Sequence, residues 1–173
     1  MIKFNEKLKT FTLETKKSSY QMKVDELGYL LHTWYGKKID ANDDLSDVIL
    51  KVDRGFSGNP YETMDRGYSL DVLPQEYSTY GNGDYRVSAI EVIHPDGSNV
   101  LDLKYQEHKI YRGKYALDGL PAFFWNEEDG ETLVITLKDT LTNIYVELYY
   151  GVLEKDDIIT RAVRLVNDSK DKV

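Results

Sequence analysis

The stretch from Thr132 to Val166 runs TLVITL at 132–137, IYVELYYGVL at 144–153 and IITRAVRLV at 158–166. Each run is rich in β-branched and aromatic residues, and each is closed by a polar joint, KDTLTN at 138–143 and EKDD at 154–157. Short apolar runs separated by turn residues read as an antiparallel meander. The same signature recurs upstream. Phe11 to Thr15 and Tyr20 to Val24 alternate apolar and polar residues, and Tyr29 to Tyr35 is more continuously apolar, as a strand buried on both faces would be. Ala89 to His94 also alternates, leads into the turn Pro95-Asp96-Gly97-Ser98 and is followed by Leu101 to Tyr105, which predicts a hairpin. Long helical patterns are missing. The fold class expected is all-β, an antiparallel β-sandwich.

Composition narrows the function classes. A length of 173 residues suits one domain spanning 1–173, or part of a larger one. The formal net charge of −8 argues against nucleic acid and anionic membrane surfaces, both of which call for clustered Lys and Arg. Without cysteine there is no disulfide scaffold and no thiolate chemistry. The segment Met1 to Leu13 has no continuous apolar stretch of the signal-peptide kind, so a cytoplasmic location is expected. Tyrosine is abundant, 14 against 2 Trp and 5 Phe. Half-buried sheet explains this better than a sugar-binding face, although both use the residue.

Two long polar stretches interrupt the strands. Gly36 to Tyr68 holds the acidic run Asp40 to Asp47 and then Gly55, Gly58 and Pro60, while Leu73 to Tyr85 holds Pro74, Gly81 and Gly83. Loops of such length inside a domain are commonly functional. The first also carries Arg54, Phe56, Tyr61 and Arg66, and is expected to be ordered against something, another subunit being one candidate. Asp53 stands out beside Arg54 and thirteen positions before Arg66. A carboxylate and a guanidinium supply complementary acceptors and donors for sugar hydroxyls; equally, they form a salt bridge that orders the loop.

Other chemistry-bearing residues give weaker signals. His32, His94 and His108 lack metal-ligand spacing. His32 sits in an apolar strand and reads as a hydrogen-bonded core histidine, His94 as an exposed one. Trp34 ends a strand expected to be buried, which favours core packing, and Trp125 follows Gly119-Leu120-Pro121 as a core or interface residue. The short G-x-G at Gly81-Asn82-Gly83 has no helix after it and is not a phosphate loop. The strongly patterned run Ile158 to Val166 lies close to Val173, and a sheet ending there would expose an edge, so the chain reads as cut from a longer polypeptide.

Several phrases in order resemble the amino-terminal region of glycoside hydrolase family 36 α-galactosidases. They are YGKKI at 35–39, RGFSGNPY at 54–61, LPQEYSTYGNGDYR at 73–86, IYRGK at 110–114, GLPA at 119–122 and ITR at 159–161. The resemblance runs from about Ser19 to Asn167, and the block Pro74-Gln75-Glu76-Tyr77 with Tyr80-Gly81-x-x-Asp84-Tyr85-Arg86 is its most specific part. It implies a galactose mutarotase-like β-supersandwich of which this chain is the first part, followed by a TIM barrel and a small C-terminal β-domain. It also implies retaining hydrolysis of terminal α-galactosides such as melibiose and raffinose, without metal or organic cofactor, by aspartates of the barrel. Tetrameric members of the family reach a loop into a neighbouring active site. The positions matching that role here are Asp53 and Arg66, which are the substrate-binding residues expected. The Tyr80 to Arg86 block is expected to serve packing or an interface. On this reading the 173 residues hold no catalytic centre. A free-standing carbohydrate-binding module is the alternative, and a mutarotase-like epimerase using a His and a Glu a third reading, for which the histidines show no recognisable pattern.

Overall fold

Alternation in these segments places one side chain of each pair on a common apolar face, and in a computed structural model two such faces meet. The structure describes residues 1–53, 58–121 and 130–170. Among these residues eight strands form two four-stranded sheets, each an antiparallel meander. The first holds β1 (Ile2–Asn5), β2 (Thr10–Glu14), β3 (Ser18–Val24) and β4 (Leu30–Lys37). The second holds β5 (Leu103–Arg112), β6 (Gly130–Asp139), β7 (Ile144–Leu153) and β8 (Ile158–Asn167). Apart from 89–94, the expected strands appear across both sheets, and β1 joins them. Among the described residues no helix is long and apolar enough to cross a membrane; a single turn of 3-10 helix covers Ser46–Val48.

The register explains the core. Leu133, Ile135 and Leu137 of β6 stand opposite Tyr150, Leu148 and Val146 of β7, so all six point to one side. That side meets Phe11, Leu13 and Met22 of the first sheet, all fully buried. Phe4 stacks on Phe11 at 4.5 Å, and His108 closes over both. Leu165 and Val163 of β8 stand opposite Val146 and Leu148 and share the core face, yet they remain 57% and 43% exposed. The apolar face of the second sheet is therefore wider than the first sheet covers.

One expected pairing is absent. Residues 89–94 form no strand, and β5 pairs with β6 instead. The turn at 95–98 is present, closed by His94 N–H donating to the Ser98 carbonyl at 2.8 Å. Ile90 and Val92 do pack on the core, so the alternation is a true burial signal, but Ala89 N–H donates to Ser78 rather than to a neighbouring strand. Trp34 is likewise not in the core. It is half-exposed, and its indole N–H donates to the Lys37 carbonyl at 2.9 Å. Trp125, Arg54, Gly55 and Phe56 lie outside the described residues.

A buried carboxylate ties the sheets together. Glu76, its side chain 2% exposed, accepts from the Tyr20 hydroxyl of β3 at 2.6 Å, the Tyr150 hydroxyl of β7 at 2.8 Å and the Arg161 guanidinium of β8 at 2.6 Å. Its own N–H donates to the Leu30 carbonyl at 2.9 Å. Replacing Glu76 by Ala strands two tyrosine hydroxyls and a half-buried guanidinium and should cost about 3 kcal/mol, whereas Glu76→Gln, which keeps an acceptor, should cost less. Urea unfolding measures both. A loss for Glu76→Ala below about 1 kcal/mol would place this cluster with ordinary surface ion pairs.

Candidate functional site

The connection from β4 to β5 carries both long loops and nearly all the candidate residues. Its first part lies over the outer side of the first sheet. Asp40 accepts from Asn42 N–H at 2.8 Å, Asp44 from Ser46 N–H at 3.0 Å, and the Asp43 carbonyl from the buried Gln21 amide at 3.3 Å. Asp40, Asp43 and Asp44 of the acidic run are thus engaged in Asx-type turns, in the Gln21 contact and with Lys23, which lies 3.2 Å from Asp44. Among the described residues no three acidic or histidine side chains gather to hold a metal ion. Where the loop returns, Tyr68, Leu70 and Leu73 bury themselves with Tyr29 and Leu31 in a second, smaller core. Leu30 faces the main core and Leu31 this one, so the strand read as buried on both faces is buried on both at its first two residues.

Asp53 and Arg66 are brought together. The guanidinium Nη2 lies 3.2 Å from Asp53 Oδ1, with the side chains 69% and 51% exposed. Arg66 follows a compact turn in which Asp65 accepts from Gly67 N–H at 2.8 Å and Tyr68 N–H donates to the Asp65 carbonyl at 3.0 Å. The Asn59 amide donates to the same carbonyl. Tyr68 in turn donates to Asp25, whose carboxyl is pushed above its usual range by burial. Beside this return lies a cleft of about 540 Å³, lined by Lys23, Asp25, Ser46, Ile49, Lys51 and Tyr68. The pair therefore sits at the surface on a loop whose return is packed, and both readings of it are geometrically available. As a salt bridge it orders the loop. As a donor and acceptor set it can meet sugar hydroxyls.

The most specific block of the sequence is scaffold in this geometry. Pro74 accepts from His32 N–H at 2.8 Å, Gln75 donates to Asp84 at 2.9 Å, and Arg86 grips Asp84 with Nε at 2.9 Å and Nη2 at 2.7 Å. Sequence spacing could not reveal Glu76 as the centre of a cluster, because Arg161 is remote in the chain.

His32 belongs to that cluster without joining its hydrogen bonds. Among the described residues its buried Nδ1 has no hydrogen-bond partner, and it stands 3.8 Å from Glu76, which corrects the expectation of a hydrogen-bonded core histidine. Burial holds its pKa below the ordinary 6.5, against the opposing pull of Glu76. The unfolded chain then binds a proton that the folded chain gives up, so His32 makes stability rise with pH up to the unfolded value. The variant His32→Asn should show a weaker rise in unfolding midpoint between about pH 5 and 7. An unchanged slope would remove His32 as its source.

A family model described as the glycosyl hydrolase family 36 N-terminal domain matches residues 28–173. The bifunctional alpha-galactosidase/sucrose kinase AgaSK of Mediterraneibacter gnavus is 49% identical over 165 residues, covering 95% of this chain and 17% of the relative. Alpha-galactosidase AgaA of Geobacillus stearothermophilus is 41% identical over 174 residues, covering 99% and 24%. Among solved structures, the galactosidase domain of AgaSK superimposes with a TM-score of 0.92 at 48% identity, over 99% of this chain and 24% of that one. A variant of AgaA from Geobacillus stearothermophilus in complex with raffinose gives 0.87 at 42%, over 94% and 23%. The chain thus spans between 17% and 24% of the length of these curated relatives. With the family model matched over residues 28–173, the chain belongs to the glycosyl hydrolase family 36 N-terminal domain family.

Proposed function

We propose that this chain is the amino-terminal, non-catalytic domain of a retaining α-galactosidase that acts on terminal α-galactosides of the melibiose and raffinose type. The observation that carries the reading is that α-galactosidases match this chain almost from end to end, over 95% and 99% of its residues, while extending far beyond it. Complexes of such a relative with raffinose and stachyose support the substrate class. Retaining glycoside cleavage needs two carboxyl groups about 5 Å apart across one bond, and on this reading they belong to a barrel outside the 173 residues. The uncovered apolar face at Val163 and Leu165 supports a sandwich that continues in the longer protein.

Within that enzyme the domain serves assembly and substrate shaping. The loop bearing Asp53 and Arg66 reaches a neighbouring subunit's active site in a homotetramer, where the carboxylate accepts from and the guanidinium donates to galactose hydroxyls. We place the enzyme in the cytoplasm. Binding then depends on the oligomer, because one subunit completes the sugar pocket of another.

The 173-residue chain alone should hydrolyse no nitrophenyl α-galactoside. In the full-length enzyme, Asp53→Ala should raise KM by about tenfold or more with the fold intact by circular dichroism. Turnover by the isolated chain would overturn the reading. Measurable affinity of that chain for galactose by calorimetry, with no effect of Asp53→Ala on the enzyme, would favour a carbohydrate-binding module instead.

A further inference from the structure

The Tyr80 to Arg86 segment carries no group assigned to substrate, yet it bears on the loop that holds Asp53 and Arg66. Gly83, at a φ of +96°, lies backbone against backbone on Gly58. A Cβ on Gly83 would fall within the Gly58 carbonyl, 2.9 Å from its carbon, and a Cβ on Gly58 would stand 3.0 Å from the Gly83 Cα. Only glycine satisfies both the positive φ and the close approach. Gly83 is itself held in place. Gly81 and Asp84 exchange backbone hydrogen bonds of 2.7 and 2.9 Å around it, and Asp84 is clamped by Arg86 and Gln75.

The loop is held a second time from the same side. Glu62 pairs with Lys104 of β5, the two side chains only 21% and 20% exposed. The Lys104 ammonium also stands 5.2 Å from the Tyr29 ring centre and 3.9 Å from Asp102. Asp102 accepts from the Tyr29 hydroxyl at 2.7 Å and from the Asn82 amide at 3.2 Å, and that amide also donates to Tyr29 at 2.8 Å. Asn82 is the chain neighbour of Gly83. One network, Tyr29, Asn82, Asp102 and Lys104, therefore meets the loop at Gly58 and again at Glu62, and both points lie between Asp53 and Arg66.

We propose that Gly58, Gly83 and Lys104 are positioning residues for galactoside binding. None touches the sugar; they set the height and register at which the loop presents Asp53 and Arg66. The inference rests on the reading of that pair as sugar contacts. Paired hydrogen bonds to hydroxyls are lost when their donor and acceptor shift by a fraction of their length, so a displaced loop weakens binding without altering the reacting carboxylates.

The test uses the full-length enzyme with nitrophenyl α-galactoside. Lys104→Met and Gly83→Ala should each raise KM about tenfold while kcat stays within about twofold, the pattern of lost uniform binding. Lys104→Arg should restore KM, and hydrogen exchange across 58–68 should quicken in Lys104→Met alone of the two lysine variants. If Gly83→Ala fails to fold, Lys104→Met and Glu62→Gln decide. Unchanged KM in these variants, with KM raised by Asp53→Ala, overturns the positioning role and leaves the function intact. Unchanged KM for Asp53→Ala overturns both. A joint fall in kcat and thermal midpoint would show general destabilisation and also overturn the proposal.

Discussion

The structure turns on a carboxylate buried away from solvent. Glu76 is buried between two sheets and draws its donors from both of them, Tyr20 from the first, Tyr150 and Arg161 from the second. A buried charge survives only where its lone pairs are met. The tyrosines are well suited to meeting it. Burial first, and the carboxylate second, hold the Tyr20 hydroxyl far above its usual titration range, so it remains a neutral donor. Tyr150 is pushed the same way by burial and by Glu76. The apolar core between the sheets is non-directional and would tolerate some sliding. The carboxylate does not, and so it fixes where one sheet stands on the other.

From that fixed point the β4 to β5 connection follows. Upstream of Glu76, the chain turns through Leu73 and Leu70 into the smaller core. Downstream, it turns through Gly81 and Asp84 and packs Ile90 and Val92 on the main core before reaching β5. The downstream arm meets the loop at Gly58, through Gly83, and β5 meets it at Glu62, through Lys104. The loop's geometry is thereby inherited from the sandwich, although the loop has no regular structure of its own among the described residues.

Much of the fold was legible because local pattern and pairing partner coincided. In β6, β7 and β8 each strand pairs with the next in sequence, so periodicity and short joints were sufficient. β1 is four residues long, with one buried side chain, and offered too little pattern to see. At 89–94 the pattern misled in an informative way: Ile90 and Val92 alternate because one side packs on the core, and alternation reports burial rather than a ladder. The site was legible only in part. The pairing of Asp53 with Arg66 was available from loop context, whereas the contact of Gly83 with Gly58 has no local signal. The glycines looked like a failed phosphate motif because their purpose lies in a segment that spacing cannot connect to them.

Two arginine–carboxylate pairs in this connection show how a structural pair differs from one that can serve a ligand. Asp84 is 2% exposed on its side chain and is gripped by two nitrogens of Arg86 with a third donor from Gln75. Opening it would leave a buried charge unmet, at a cost of several kcal/mol. Asp53 and Arg66 are both more than half exposed and meet at 3.2 Å. An exposed pair of this kind contributes at most about 1 kcal/mol. On the proposed reading, a loop held at Gly58 and Glu62 that ends in such a pair has its order supplied from beneath and presents its donors at the surface, the division that substrate binding requires.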